Sequence, residues 1–180
     1  MKFQLVAAAA LALAAAVVPA VASAQGAPAP KAPSQAAPAA APKSAQAGIS
    51  ITSPAGGLCL TVAEANNVHG AEVDMETCTG SPAQRWSHQP NGLIVSDLAP
   101  AAGQPQLCLD DRWNNPRYGA AIDVYDCHAD WPAEQWRFDG SHQHNANGLC
   151  LDITDANPLP GAGVKLFGCT NTNNQNWHEG

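Results

Sequence analysis

The chain has 180 residues and a formal charge of −7 at pH 7, and all 15 of its acidic residues lie after residue 47. Only five of the eight basic residues lie there, so residues 48–180 carry a formal charge of −10. A surface of this sign repels phosphate groups, which argues against nucleic acid and anionic membranes as partners.

The first 24 residues have the pattern of a secretory signal peptide. Lys2 gives the positive start, residues 5–18 form the apolar stretch, and Ala22-Ser23-Ala24 is a cleavage site of the A-x-A type. The apolar stretch is short and rich in alanine, and no stop-transfer pattern follows it, so we predict cleavage after Ala24 rather than membrane insertion. A secreted or periplasmic protein is therefore expected.

Residues 25–47 form a tract rich in proline and alanine. It contains no large apolar residue, so it cannot bury enough surface to offset the entropy lost on ordering. We predict a semi-extended spacer here. The remaining residues, 48–180, suffice for one hydrophobic core and form a single predicted domain.

Residues 48–180 contain three copies of one pattern. Each copy starts with a cysteine followed by leucine, has a second cysteine 19 positions later and a glycine eight residues before that, and ends in a tryptophan. The copies start at Cys59, Cys108 and Cys150. A pattern repeated at this spacing predicts a repeat architecture, with repeats at about residues 48–91, 92–140 and 141–180.

All six cysteines belong to these copies. An even number of cysteines in a secreted chain predicts disulfide bonds. The repeat favours one bond per copy, which leaves no free thiol for nucleophilic chemistry. The predicted pairs are Cys59–Cys78, Cys108–Cys127 and Cys150–Cys169.

Short strand patterns recur before each second cysteine, at residues 73–76, 122–125 and 164–167, separated by clusters of Gly, Pro and Asn. They predict a closed all-β fold. In the last run, alternation places Val164 and Leu166 inward and Lys165 and Phe167 outward, near Asp152. An outward Phe167 is either a platform for a small ligand or, in an irregular strand, a residue packed under a loop.

The tryptophans that end the copies occupy equivalent positions. Because large aromatic side chains dominate core burial, three equivalent tryptophans favour a three-fold core cluster over three binding sites. We therefore predict that Trp86, Trp136 and Trp177 lie in the core.

These features resemble the ricin B-type lectin family of carbohydrate-binding modules over the whole of residues 48–180. Gln84-Arg85-Trp86 and Gln175-Asn176-Trp177 match the Q-x-W signature of that family, whereas the second copy has Glu134 at the Gln position, with Gln135 beside it. The resemblance implies a β-trefoil, with twelve strands and pseudo-three-fold symmetry. It also implies one potential sugar pocket per repeat.

The third repeat carries the most complete set of the pocket residues that the resemblance implies. Its carboxylate and amides suit sugar hydroxyls, which both donate and accept hydrogen bonds, and its aromatic ring suits the apolar face of a pyranose. Lys165 stands at an auxiliary polar position, where it could bind a hydroxyl or pair with Asp152. The expected contacts are Asp152, Lys165, Phe167, Asn174 and Gln175.

The second repeat has a weaker set, in which Ala133 stands at the Asn position and Glu134 could substitute. Trp113 and Trp131 in its loops either form walls of the pocket or cover the core. The expected contacts are Asp110, Asp123, Tyr125 and Glu134. The first repeat has Thr61, Asp74, Glu76 and Ala83 at the corresponding positions, and we expect no binding of this kind there.

Other chemistry has little support in the sequence. Asp110 and Asp111 are adjacent on a strand and point to opposite faces, so they make a poor catalytic pair. His142-Gln143-His144 could chelate a metal, but no third ligand stands at metal spacing, so we predict neither a metal site nor a cofactor.

We therefore predict a secreted, non-catalytic lectin that binds a glycan or polysaccharide in shallow pockets, best in the third repeat. The alternative is a β-trefoil scaffold or inhibitor that binds a separate protein partner and whose sugar sites are vestigial.

Overall fold

The computed structural model describes residues 48–180, which form an all-β domain. The signal peptide and spacer predicted for residues 1–47 lie outside the described residues. Within residues 48–180, no helix is long and apolar enough to cross a membrane. The strands are β1 (Ile51–Ser53), β2 (Leu58–Val62), β3 (Ala71–Glu76), β4 (Trp86–His88), β5 (Ile94–Ser96), β6 (Leu107–Asp111), β7 (Ile122–Asp126), β8 (Trp136–Phe138), β9 (Gln143–Asn145), β10 (Cys150–Ile153), β11 (Ala162–Phe167) and β12 (His178–Glu179).

Each repeat contributes four of these strands, and its second and third strands form an antiparallel hairpin. The hairpins are β2–β3, β6–β7 and β10–β11, and the same register recurs in all three. In the third hairpin Leu151 lies opposite Leu166 and Asp152 lies opposite Lys165. Because side chains alternate across a strand, the leucines face the core and the Asp–Lys pair faces away.

Contacts between the repeats close the sheet. Strand β3 pairs with both β7 and β11, and a bridge between Ala121 and Lys165 joins the remaining two hairpins. Strand β1 pairs with β12, so the two ends of the domain lie side by side. Strands β4–β5 and β8–β9 pair across the junctions between repeats. The result is a β-trefoil, which leaves few unpaired strand edges.

The three repeated tryptophans lie in the core. Each indole Nε1–H donates to the carbonyl of the leucine that follows the first cysteine of its repeat, at 2.9–3.1 Å. The rings are almost completely buried, so these bonds satisfy the one polar atom that each indole takes out of water. The donor–acceptor pairs are Trp86–Leu60, Trp136–Leu109 and Trp177–Leu151.

The structure forms the three predicted disulfides, one in each repeat. They join Cys59 to Cys78, Cys108 to Cys127 and Cys150 to Cys169. Each closes a loop of about 20 residues, which in the chain-entropy model stabilises the folded state by about 3 kcal/mol. Each bond also holds the end of the third strand of the repeat against the start of the second, on the face opposite the core.

Trp177→Phe tests the indole hydrogen bond. The substitution keeps an aromatic ring in the core but leaves the buried Leu151 carbonyl without its donor, and an unpaired buried acceptor costs about 1–3 kcal/mol. We therefore expect the free energy of unfolding, measured in urea, to fall by about 1–3 kcal/mol. Trp113→Phe, at an exposed position, is the control and should leave stability almost unchanged. Equal losses in the two variants would show that the buried bond is unimportant.

Candidate functional site

In the third repeat, one carboxylate is held by two amide side chains. Asp152 Oδ2 accepts hydrogen bonds from Asn174 Nδ2 and from Gln175 Nε2, both at 2.7 Å. Gln175 is itself fixed, because its Oε1 accepts from the Thr170 backbone N–H at 2.6 Å and its Nε2 also donates to the Gly168 carbonyl. The predicted residues Asp152, Asn174 and Gln175 therefore lie together.

The other oxygen of Asp152 remains available. Burial raises the pKa of Asp152, while the Gln175 hydrogen bond and the charge of Lys165 lower it. Within residues 48–180, no protein donor reaches Oδ1 of Asp152. A carboxylate with one oxygen anchored and one free can accept a hydrogen bond from a hydroxyl group of a ligand.

Phe167 points away from the core, as predicted, and is 39% exposed. Tyr118 of the second repeat covers part of it, with the ring centroids 4.8 Å apart. Gly168 permits this approach, since a Cβ there would lie 2.8 Å from the Tyr118 hydroxyl oxygen. Lys165 lies beside the ring and pairs with Asp155 at 3.7 Å, not with Asp152. The rim of this pocket therefore includes residues from two repeats.

The second repeat contains an open cleft of about 720 Å³. Tyr125, Trp113 and Trp131 line it, together with Asp110, Asp123 and Arg112. Trp113 is 88% exposed, so both loop tryptophans form walls of the cleft and do not cover the core. The predicted residues Asp110, Asp123 and Tyr125 thus lie in one cleft, with more aromatic surface than the third repeat offers.

Stacked rings fix the aromatic side of this cleft. Trp131 stacks on His128 with ring centroids 3.7 Å apart and an interplanar angle of 7°. Tyr125 stacks against both Trp131 and His69, with ring centroids 6.1 and 5.1 Å apart. Because its neighbours restrict each ring, the cleft presents a preformed aromatic surface suited to the apolar face of a sugar ring.

The floor of the cleft is acidic. Asp110 on β6 lies opposite Asp123 on β7, and Arg112 Nε donates to Asp123 Oδ2 at 2.8 Å. Burial raises the pKa of Asp110 to about 7, and the charges of Asp123 and Glu134 add to the effect. Burial also raises the pKa of Asp123, although Arg112 opposes it. Burial and the neighbouring carboxylates therefore favour the protonated form of Asp110.

The structure does not support direct ligand contact by Glu134 or Gln175, because both side chains are buried. Glu134 accepts from the His128 backbone N–H at 2.6 Å, the counterpart of the Gln175–Thr170 bond, and its second oxygen faces the His128 ring at 3.3 Å. Each residue therefore positions the loop that precedes it. Glu134 does take the structural place of the Gln in the Q-x-W signature.

A buried carboxylate that the sequence analysis did not assign supports the Trp113 turn. Asp111 is fully buried, accepts from the Asn115 N–H and from Asn145 Nδ2 at 2.8 Å each, and has a pKa that burial raises to about 6. Trp113 has a positive φ of 70°, which is unfavourable for a bulky residue. The other repeats carry the apolar residues Val62 and Ile153 where this one has Asp111. A carboxylate at a position that is apolar in the other repeats could have indicated a buried, functional Asp111.

The first repeat has Thr61 in place of the carboxylate that Asp110 and Asp152 provide in the other two repeats. Its Thr61 donates to the Cys59 carbonyl and accepts from Gln84 Nε2, so its hydroxyl is already engaged. Glu76 and Asp74 replace the aromatic residue and its polar neighbour, and burial raises the pKa of Asp74 to about 6. The prediction that this repeat does not bind a sugar in the same way remains a prediction.

One prediction about metal ligands was wrong. The sequence offered no third ligand for His142 and His144, but the β8–β9 turn brings Asp139 next to both. In the sequence Asp139 stands only three residues before His142, a spacing that becomes significant once a hairpin folds it back.

Two sequence profiles cover almost the whole of the described domain. The ricin-type β-trefoil lectin domain profile matches residues 100–179, and a ricin-type β-trefoil lectin domain-like profile matches residues 40–125. The chain belongs to the ricin B-type lectin family. No curated protein sequence matches the chain significantly.

Solved structures share the fold of this lectin domain. The C-half of an earthworm R-type lectin, solved in complex with GalNAc, is 18% identical with a TM-score of 0.61, and the match covers 73% of this chain and 95% of that one. The designed three-fold symmetric protein ThreeFoil is 22% identical (TM-score 0.62; 73% and 96% covered). The β-trefoil lectin of the Vibrio vulnificus hemolysin/cytolysin, with N-acetyl-D-lactosamine bound, is 21% identical (TM-score 0.57; 75% and 95% covered).

Asp110→Asn tests the acidic floor of the cleft. Because the folded-state pKa of Asp110 is about 7 and the unfolded-state value is near 4, the folded state binds more protons between these pH values, and stability falls as pH rises through them. The asparagine variant should therefore gain stability relative to the parent between pH 4 and pH 8, by at least about 1 kcal/mol. Urea unfolding at both pH values measures the gain.

Asp130→Asn is the matched control, since Asp130 is exposed. Its stability relative to the parent should be the same at pH 4 and pH 8. If Asp110→Asn also showed no pH-dependent difference, Asp110 would not be a protonated carboxyl in the folded state.

Proposed function

We propose that this lectin domain binds carbohydrate without catalysis, in the pockets of its second and third repeats. The observation that carries the proposal is the Asp152 carboxylate, anchored by Asn174 and Gln175 with one oxygen free and Phe167 on the same face. A sugar needs a hydrogen-bond acceptor, a donor and an apolar surface within one ring diameter, and this arrangement supplies the three together.

The two pockets are chemically unlike. The third repeat provides directed polar contacts and one aromatic ring, so we propose it as the more selective site. The second repeat provides Tyr125, Trp113 and Trp131 around an acidic floor, which suits ring stacking over more than one sugar unit. Each site alone should bind weakly, and a polysaccharide that engages both would bind more tightly through effective concentration.

A hydrolase is the less favoured activity. Glycosidases place two carboxyl groups about 5–10 Å apart, on either side of the bond they cleave. Asp110 and Asp123 instead lie directly opposite each other on the paired strands β6 and β7, so both face a ligand in the cleft from the same side, and Arg112 already binds Asp123. The carboxylates of the second repeat therefore serve binding and not turnover in this proposal.

Secretion is part of the same proposal. Three disulfides fit an oxidising compartment, and the signal-peptide pattern of residues 1–24 supplies a route of export. The earthworm lectin C-half was solved in complex with GalNAc, and the Vibrio vulnificus β-trefoil lectin with N-acetyl-D-lactosamine bound. Both are hydroxyl-rich pyranose sugars, and the pocket of the third repeat has the groups for that class of ligand.

The first experiment is binding of residues 25–180 to a glycan array and to insoluble polysaccharides. Asp152→Asn should weaken retention at least about tenfold, because it removes the charge that strengthens hydrogen bonds to a hydroxyl. Glu64→Gln is the control, since Glu64 is an exposed acidic residue of the first repeat, where we expect no binding of this kind. Equal retention by all three proteins would place the binding site elsewhere.

Tyr125→Ala and Trp131→Ala report on the second repeat. Loss of one stacking ring should lower retention on polysaccharide more than on a monosaccharide, because only a longer ligand engages both repeats. Leu159→Ala, at an exposed position outside both pockets, is the control. If folded, fully oxidised protein binds no glycan at all, the lectin proposal fails, and a protein-binding scaffold becomes the better hypothesis.

A further inference from the structure

The turn between β8 and β9 gathers three side chains that ligate metals. His144 Nε2 lies 2.7 Å and His142 Nδ1 lies 3.5 Å from the same atom, Asp139 Oδ2. One ligand atom from each of the three residues lies within 4.8 Å of those of the other two. The cluster is separate from both pockets described above, and neither pocket uses any of its residues.

The hydrogen bonds of His142 leave one nitrogen facing the carboxylate. His142 Nε2 lies 2.9 Å from the Thr170 carbonyl oxygen, which can only accept, so Nε2 carries the proton in that bond. In a neutral imidazole the lone pair is then on Nδ1, and this nitrogen faces Asp139 Oδ2. Two electron-rich atoms face each other favourably only when a cation lies between them, either a proton or a metal ion.

The spacing fits a tetrahedral ion. Zinc bonds of about 2.0–2.1 Å to nitrogen and oxygen place two tetrahedral ligands about 3.3 Å apart. The distance from His142 Nδ1 to Asp139 Oδ2 is already close to this value, and that from His144 Nε2 needs to lengthen by about half an ångström. We propose that His142 Nδ1, His144 Nε2 and Asp139 Oδ2 bind a divalent ion of the Zn²⁺ class.

Other contacts hold the ligands in place. Asp139 Oδ1 accepts from the backbone N–H groups of Ser141 and His142, at 3.0 and 2.7 Å, so the carboxylate is fixed with Oδ2 towards the histidines. The Thr170 carbonyl sets the tautomer and orientation of His142. The Nδ1 atom of His144 lies 3.6 Å from the sulfurs of Cys150 and Cys169. Metal-binding histidines are usually oriented by such outer contacts.

The ligand set selects the kind of ion. Two imidazoles and one carboxylate suit Zn²⁺, Ni²⁺ or Cu²⁺, whereas Ca²⁺ and Mg²⁺ prefer oxygen ligands throughout. Three protein ligands leave a fourth position for water. The negative charge of residues 48–180 also raises the local concentration of cations. The two cysteines near His144 are joined in a disulfide, so they are not thiolate ligands.

Titration of the untagged full chain with ZnCl₂, followed by calorimetry, tests the site. We expect one ion per chain, a Kd in the micromolar range, and a rise in Tm with zinc concentration. Asp139→Asn and His144→Gln should each weaken binding at least about tenfold, the loss that even outer-shell changes cause. Asp139→Asn keeps the Oδ1 acceptor for Ser141 and His142, so the turn should still fold. His178→Ala, an exposed histidine on β12, is the control and should bind as the parent does.

Cobalt substitution provides a second readout, because tetrahedral Co²⁺ with nitrogen ligands absorbs visible light strongly and the His144→Gln variant should lose that absorbance. Equal zinc binding by the parent and both ligand variants would overturn the proposal, as would Ca²⁺ binding with the same affinity as zinc. Absence of zinc binding at millimolar concentration would also overturn it and would leave the cluster as a set of polar contacts that hold the turn.

Discussion

The indole hydrogen bond at the end of each repeat positions both the fourth strand of the repeat and the buried Gln or Glu beneath its pocket. Each tryptophan ring fills the core, and its N–H fixes the start of the fourth strand of the repeat, β4, β8 or β12, against the carbonyl of a leucine in the second strand. The Gln or Glu two residues earlier is thereby brought beneath the loop that follows the second cysteine, where it accepts a backbone N–H at 2.6–2.7 Å. Core and pocket share one anchor, so the ligand-facing groups rest on the most buried part of the fold.

The replacement of Gln by Glu at position 134 changes the second pocket. In the third repeat the Gln175 amide donates to Asp152, and in the first the Gln84 amide donates to Thr61. A carboxylate cannot donate, so Asp110 has no such donor, and burial beside Asp123 and Glu134 raises its pKa to about 7. Arg112 then balances the charge of Asp123. One change of donor to acceptor thus converts an amide-anchored carboxylate into a paired acidic floor.

The sequence was sufficient to predict the fold, because its signals repeat. Cysteine spacing and strand alternation each occurred three times and predicted the three disulfide pairs and the outward face of Phe167 near Asp152. The family resemblance, supported by two Q-x-W matches, implied the β-trefoil. Features that occur once were harder to interpret. Asp111 reads as one more acidic surface residue until the fold places it beneath the Trp113 turn, where it meets Asn145 from the next repeat.

Contacts between repeats and across turns account for the side-chain partners that the repeat pattern did not predict. Tyr118 covers Phe167 although the two residues lie 49 positions apart, and no periodicity within a repeat predicts a contact across the boundary. Lys165 pairs with Asp155 because the turn after β10 folds back over the β11 strand, while Asp152 is already bonded to two amides. A turn also makes Asp139 a third potential metal ligand, since the β8–β9 hairpin reverses the chain between Asp139 and His144.

The first repeat shows that the fold constrains the buried amide but not the carboxylate and the aromatic ring found in the other two repeats. Gln84 is as buried as Gln175 and still needs an acceptor for its Nε2, since an unpaired buried donor costs about 1–3 kcal/mol. Thr61 meets that need with its hydroxyl, and the Thr77 carbonyl accepts from the same nitrogen. A repeat can therefore lose its carboxylate and its aromatic ring while its core and its anchor remain satisfied. Three repeats of one fold thus carry an amide-anchored carboxylate, an aromatic cleft with an acidic floor, and a hydroxyl in place of the carboxylate.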